Sequence, residues 1–96
     1  ITGGVNVYPR EIEELLFSHP EISDVAVVGV PDDKWGERLR AFIVPKSGHT
    51  VGAESLAAFC EGKLASYKIP KDVAIIEVLP RNANGKVLKT ELRKAG

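Results

Sequence analysis

The sequence predicts an α+β domain: a small, mainly antiparallel three-stranded sheet with flanking helices and a short N-terminal extended segment. Three observations predict it. Val25 to Val30 is an unbroken apolar run that stops at Pro31-Asp32-Asp33, the pattern of a strand buried on both faces. Arg38 to Val44 follows after a short link, so the two runs pair antiparallel. Apolar residues at three-and-four spacing around Ile12, and again over 53–64, mark helices with one buried face. The chain has 96 residues, enough for one domain with one core.

In chain order, Gly3-Gly4 is a flexible or tightly turned pair, and Val5-Asn6-Val7 alternates as an extended segment. Pro9 suits the first turn of a helix, and Glu11, Glu13 and Glu14 complement its positive N-terminus. Ile12, Leu15 and Leu16 form its buried face, and His19-Pro20 ends it, which makes His19 a helix-terminal residue. In the second strand Leu39, Ala41 and Ile43 share one face, with Arg40, Phe42 and Val44 on the other. Pro45, Ser47 and Gly48 make the next turn. The helix over 53–64 turns Leu56, Phe59, Cys60 and Leu64 inward, with Gly62 as its weak point. Tyr67 to Lys71 is an irregular link, Val73 to Leu79 a third strand, and the basic segment near 89–95 a last helix.

Composition removes several functions. Thirteen basic residues balance thirteen acidic ones, so no global field recruits nucleic acid or an anionic membrane. The single cysteine, Cys60, excludes an intrachain disulfide and suits a reducing compartment. Its helical spacing with Leu56 and Leu64 makes it a buried apolar thiol. No apolar run has the length of a membrane span and there is no secretory-type leader, so a cytoplasmic protein is expected. His19 and His49 lack the spacing of metal ligands. The chain opens on Ile1 and holds no methionine, from which we expect a piece of a longer protein, with part of the active site elsewhere.

What remains is a set of cations and aromatics at turns. Pro80 closes the third strand, Asn84-Gly85 has the form of a type I′ turn, and Lys86 follows at once. Such a turn aims the lysine while leaving its stem free to reach a substrate; an ordinary solvated hairpin has the same sequence. Trp35, Tyr67, Lys68 and Lys71 have two readings as well. They face a nucleotide by stacking and phosphate contact, or Trp35 covers a sheet edge and the lysines are solvated.

Two long motifs then bear on the choice. Gly3-Gly4-Val5-Asn6-Val7-Tyr8-Pro9-Arg10-Glu11-Ile12-Glu13 resembles the Gly-Gly-x-Asn-x-x-Pro-x-Glu-Ile-Glu signature of adenylate-forming enzymes of the acyl-CoA synthetase type. Pro80 to Val87 resembles their closing Pro-(Arg/Lys)-x-x-x-Gly-Lys-(Ile/Val) signature. Val-Gly-Val-Pro-Asp and Trp-Gly-Glu stand between them, and the resemblance covers essentially the whole chain. Asn6-Val7-Tyr8-Pro9 sets it apart from the amino-acid-activating domains of peptide synthetases, while luciferases share the same domain.

The resemblance implies that residues 1–96 are the mobile C-terminal domain of a two-domain ligase. Such enzymes use ATP and Mg²⁺ to convert a carboxylic acid into an acyl-adenylate, then pass the acyl group to coenzyme A. Most of the ATP, Mg²⁺ and acid contacts lie on a larger N-terminal adenylation domain, so this chain alone is expected to have no turnover. Lys86 matches the family's adenylation lysine, and Gly3 and Gly4 match the loop beside the pantetheine channel. Trp35, Tyr67 and Lys71 fall near where the CoA nucleotide packs. Three readings stay open: transfer to CoA from a fatty or aromatic acyl-adenylate, transfer to a carrier protein or a luciferase-type oxidation, and a non-catalytic nucleotide-binding or interaction module.

Overall fold

The computed structural model describes residues 8–34 and 36–95. Gly3, Gly4, Trp35 and the extended segment at Val5-Asn6-Val7 lie outside these.

Helix α1 (Pro9–Phe17) starts at Tyr8, whose backbone is extended and whose carbonyl accepts the Glu11 N–H at 3.1 Å. Pro9 occupies the first turn, where its missing N–H has no helical partner to lose. Ile12 and Leu16 are fully buried, each worth roughly 1.5–3 kcal/mol of apolar burial. The helix stops at Phe17 because Pro20 has no N–H to continue it. His19 is buried just beyond, tilted against Phe59 with ring centroids 4.6 Å apart. Its Nδ1 accepts the Glu21 N–H at 3.0 Å, so His19 is a satisfied core residue.

Strands β1 (Ile22–Asp32) and β2 (Gly36–Pro45) pair antiparallel, with Val27 opposite Ala41. The chain then crosses over through α2 (Ala53–Cys60) and a 3₁₀ turn (Ser66–Lys68) to β3 (Asp72–Ile75), which lies parallel to β2. A crossover returns the chain in the same direction, which is why this pairing is parallel. The sheet, in the order β1-β2-β3, is therefore mixed but mostly antiparallel. Helix α3 (Lys89–Ala95) follows the 80–88 segment.

The predicted faces are the observed ones. Val25, Val27, Leu39, Ala41 and Ile43 pack with Ile12, Leu16, Leu56 and Cys60 on one side of the sheet. Ala26, Val28, Val30 and Phe42 pack with Leu79 and Leu92 on the other. Burial pushes the Cys60 thiol pKa up, Lys63 opposing only in part, as expected of a thiol packed in apolar surroundings.

Two predicted elements are shorter in the structure. Helix α2 ends at Cys60 instead of residue 64, because Gly62 takes a left-handed φ of 80° that no helix interior accepts. Strand β3 ends at Ile75 instead of Leu79. Ile76 still donates to the Ile43 carbonyl at 2.9 Å, but the chain then leaves the sheet to bury Leu79 in the second cluster while Val78 stays open to water.

Candidate functional site

The two motif segments meet in space. Helix α1 presents Arg10, Glu13 and Phe17 to an open depression of about 840 Å³ that the 80–90 segment completes with Arg81, Lys86 and Leu88. Lys86 stands at the tip of a hairpin on this depression. Arg81 and Val87 form an antiparallel bridge. Asn82 N–H donates to the Lys86 carbonyl at 2.9 Å, and Gly85 N–H to the Asn82 carbonyl at 3.0 Å.

The turn differs from the predicted type I′. Among the described residues no residue other than glycine has a positive φ, and Gly85 takes φ 84°. Asn84 thus stays on the ordinary side, and the loop is a three-residue turn closed by one left-handed glycine. Asn82 supplies the rest of the geometry. Its Oδ1 accepts the N–H groups of both Asn84 (2.9 Å) and Lys86 (3.0 Å), an Asx turn holding the loop from within.

Arg81 holds it from outside. Its guanidinium donates to the Gly85 carbonyl at 2.6 Å and to Asp24 Oδ2 at 2.7 Å. The other oxygen of Asp24 accepts the Val25 N–H of β1 at 2.9 Å. Lys86 itself is exposed. Among the described residues its ammonium has no carboxylate within ion-pair distance. The hairpin, held at both Asn82 and Arg81, therefore carries on the flexible Lys86 stem a cation with no carboxylate partner among the described residues.

The glutamates of α1 take parts that helix polarity does not predict. Only Glu11 lies in the first turn of α1. Glu14 pairs with Arg10 at 3.2 Å on the surface. Glu13 reaches across to accept the Val27 N–H at 2.7 Å and the Lys89 ammonium at 2.9 Å, tying α1, β1 and α3 together beneath the depression.

Tyr67, Lys68 and Lys71 do not line the Lys86 depression. Tyr67 is 53% exposed and Lys71 is exposed. Lys68 is not free: its ammonium donates to Glu11 Oε1 at 2.9 Å and lies 5.8 Å from the Tyr67 ring centre. The hydrogen bond to Glu11 holds the Lys68 pKa above its ordinary value. Another ionic knot joins β2 to β3, where Asp72 accepts from Arg38 Nε at 3.1 Å and Arg40 Nε at 2.9 Å. Arg40 first, then Arg38, lowers the Asp72 pKa against the opposing effect of burial. No group of three or more His, Cys, Asp or Glu side chains among the described residues is placed to hold a metal.

A family model described as the AMP-binding enzyme C-terminal domain matches residues 11–86. The chain belongs to this family. A 2-succinylbenzoate–CoA ligase of Bacillus cereus is 53% identical to this AMP-binding C-terminal domain over 94 residues, covering 98% of the chain and 19% of the relative. A fatty acyl CoA synthetase of Mycobacterium tuberculosis superposes with a TM-score of 0.90 at 45% identity, over 99% of this chain and 19% of that one. An o-succinylbenzoate CoA synthetase of Bacillus subtilis, solved with its product analogue, matches with a TM-score of 0.89 at 40% identity, over 98% and 19%. The domain thus spans about a fifth of the length of the relatives it matches.

Asp24, Arg81 and Asn82 carry the geometry around Lys86 and were not legible as a unit. Asn82 has a local signal, an asparagine opening a turn. Arg81 and Asp24 are 57 positions apart, and nothing in the spacing of the sequence links them.

Proposed function

We propose that this domain is the mobile C-terminal part of an ATP-dependent acid–CoA ligase, with Lys86 as its adenylation lysine. The single observation that carries the reading is the Lys86 ammonium, without a carboxylate partner among the described residues, just past the turn of a doubly held hairpin and beside the helix of the other motif. The names of the matched relatives favour an acid of the fatty or aromatic class.

In the first half-reaction a carboxylate oxygen attacks the α-phosphorus of ATP, a C–O–P linkage forms, and pyrophosphate leaves. Two anionic groups must approach, and charge builds on the phosphoryl oxygens. An ammonium at that point offsets the repulsion and stabilises the transition state. Its mobile stem lets it withdraw when the domain turns. In the second half-reaction the CoA sulfur attacks the acyl carbonyl and AMP departs. Gly3 and Gly4 are proposed to border the pantetheine, and Trp35, Tyr67 and Lys71 to lie near the CoA nucleotide. The exposure of Tyr67 and Lys71, outside the Lys86 depression, supports two working faces on one domain. The family resemblance assigns Mg²⁺, along with most ATP and acid contacts, to the larger domain of the same protein. A buried free thiol at Cys60 supports a cytoplasmic setting.

The test is Lys86→Ala in the full-length enzyme. Adenylate formation, followed by ATP–pyrophosphate exchange, is expected to fall about 10²–10³-fold, the scale of losing one electrostatic stabiliser. Thioester formation from supplied acyl-adenylate is expected to persist. An equal fall in both half-reactions, with the fold intact, overturns the assignment.

A further inference from the structure

Lys86 is one residue beyond Gly85, the position in the loop with the widest choice of backbone angles. On an open surface such a glycine lets the Gly85–Lys86 peptide plane rotate, and with it the direction of the Lys86 stem. The structure holds both polar ends of that plane. Its carbonyl accepts from Arg81 at 2.6 Å, and its N–H donates to Asn82 Oδ1 at 3.0 Å. A trans peptide is rigid, so fixing both ends fixes the Lys86 Cα.

The Asn82 end is local to the loop. The Arg81 end reaches into the sheet through Asp24, which is itself bonded to the Val25 N–H of β1. Arg81 is only 40% exposed and Asp24 24%. Asp24 also neutralises Arg81, leaving Lys86 as the cation of the hairpin without a carboxylate among the described residues.

We propose that Arg81 is a positioning residue for Lys86, clamping the Gly85 carbonyl to the sheet through Asp24 so that the ammonium is aimed during adenylation. The proposal rests on the reading of Lys86 as the adenylation lysine. It requires a fork: one planar guanidinium serves the carbonyl and the carboxylate at once, which a single ammonium does not match. The two hydrogen bonds of Arg81 both go to protein groups, the Gly85 carbonyl and Asp24, so its removal is expected to disturb alignment. Small misplacements of a reacting group carry losses of about 10²-fold.

The experiment uses the full-length enzyme with Arg81→Ala, Arg81→Lys, Asp24→Asn and Lys86→Ala. Arg81→Ala is expected to lower kcat for adenylate formation about 10–100-fold, with KM for ATP and the rate of thioester formation from supplied acyl-adenylate unchanged. Arg81→Lys and Asp24→Asn are expected to give smaller losses in the same half-reaction, and both keep the fold if the alanine variant does not. Adding Arg81→Ala to Lys86→Ala is expected to cost nothing further, since both act through one group. A raised KM for ATP makes Arg81 a substrate contact and overturns the proposal. So does an equal loss in both half-reactions, or an unchanged adenylation rate in Arg81→Ala while Lys86→Ala is impaired. If Lys86→Ala spares adenylation, the reading of Lys86 itself fails, and that result is distinct from failure of the clamp alone.

Discussion

Glu13→Ala is the substitution whose effect on the domain follows most directly from the geometry. The carboxylate is 16% exposed. It accepts the N–H of Val27, a residue with no solvent exposure, and it receives the Lys89 ammonium. A hydrogen bond to a charged acceptor is worth about 1.5–3 kcal/mol. The Lys89 pair is partly open to water and adds at most about 1 kcal/mol. Truncation to alanine leaves the strand N–H without its partner, so a loss of about 2–3 kcal/mol is expected. Glu13→Gln keeps an oxygen for Val27 and loses only charge, so about 1 kcal/mol is expected. Urea denaturation of the 96-residue chain measures both. With a slope near 1 kcal/mol per molar, the alanine midpoint falls by about 2–3 M and the glutamine midpoint by about 1 M. Equal losses for the two variants, or an alanine loss below about 0.5 kcal/mol, would show that Val27 does not depend on Glu13.

The other predictions concern the ionic knot and the turn. Because Arg40 and Arg38 lower the Asp72 pKa below its ordinary 3.8, the linked stability is present above that value and is lost as pH falls through the depressed one. Asp72→Asn is therefore expected to be less stable than the parent at pH 7, with the gap in urea midpoint shrinking below pH 3.8; a gap that stays constant across that range refutes the linkage. Gly85→Ala meets nothing within 4 Å, yet must hold φ 84°, so about 1 kcal/mol is expected from backbone strain alone, and less for Gly85→Asn. An alanine variant with parental stability would mean the turn relaxes to another form.

The sheet faces were legible because a two-residue period fixes them without any knowledge of neighbours. Leu39, Ala41 and Ile43 fall on one side and Phe42 on the other whatever covers them. Helix α1 was legible at both ends, since Pro9 and Pro20 each act through their missing N–H. The ends of α2 and β3 were not. Gly62 reads as a tolerated flaw in a helix until its left-handed angle is seen. Nothing at Glu77 or Val78 says that Leu79 must cross to the second cluster. The site divides in the same way. Lys86, the proposed adenylation lysine, was singled out through its motif, whereas of the contacts proposed to aim it the Asp24–Arg81 pair comes from across the fold. The ion pair of Lys68 was hidden for that reason too, because its partner Glu11 lies 57 positions away.

Strand β1 lies at the edge of the sheet and carries the longest apolar run of the chain, so its outward N–H groups would otherwise template the addition of a foreign strand. The carboxylates of Glu13 and Asp24 cover two of those groups, at Val27 and Val25. The contacts that brace the two motifs thus also guard the domain against edge-to-edge aggregation. Val25, Val27 and Val30 are at most 3% exposed in the domain by itself, so the domain closes this edge with its own side chains. Loss of either acid is then a hazard to solubility as well as to stability.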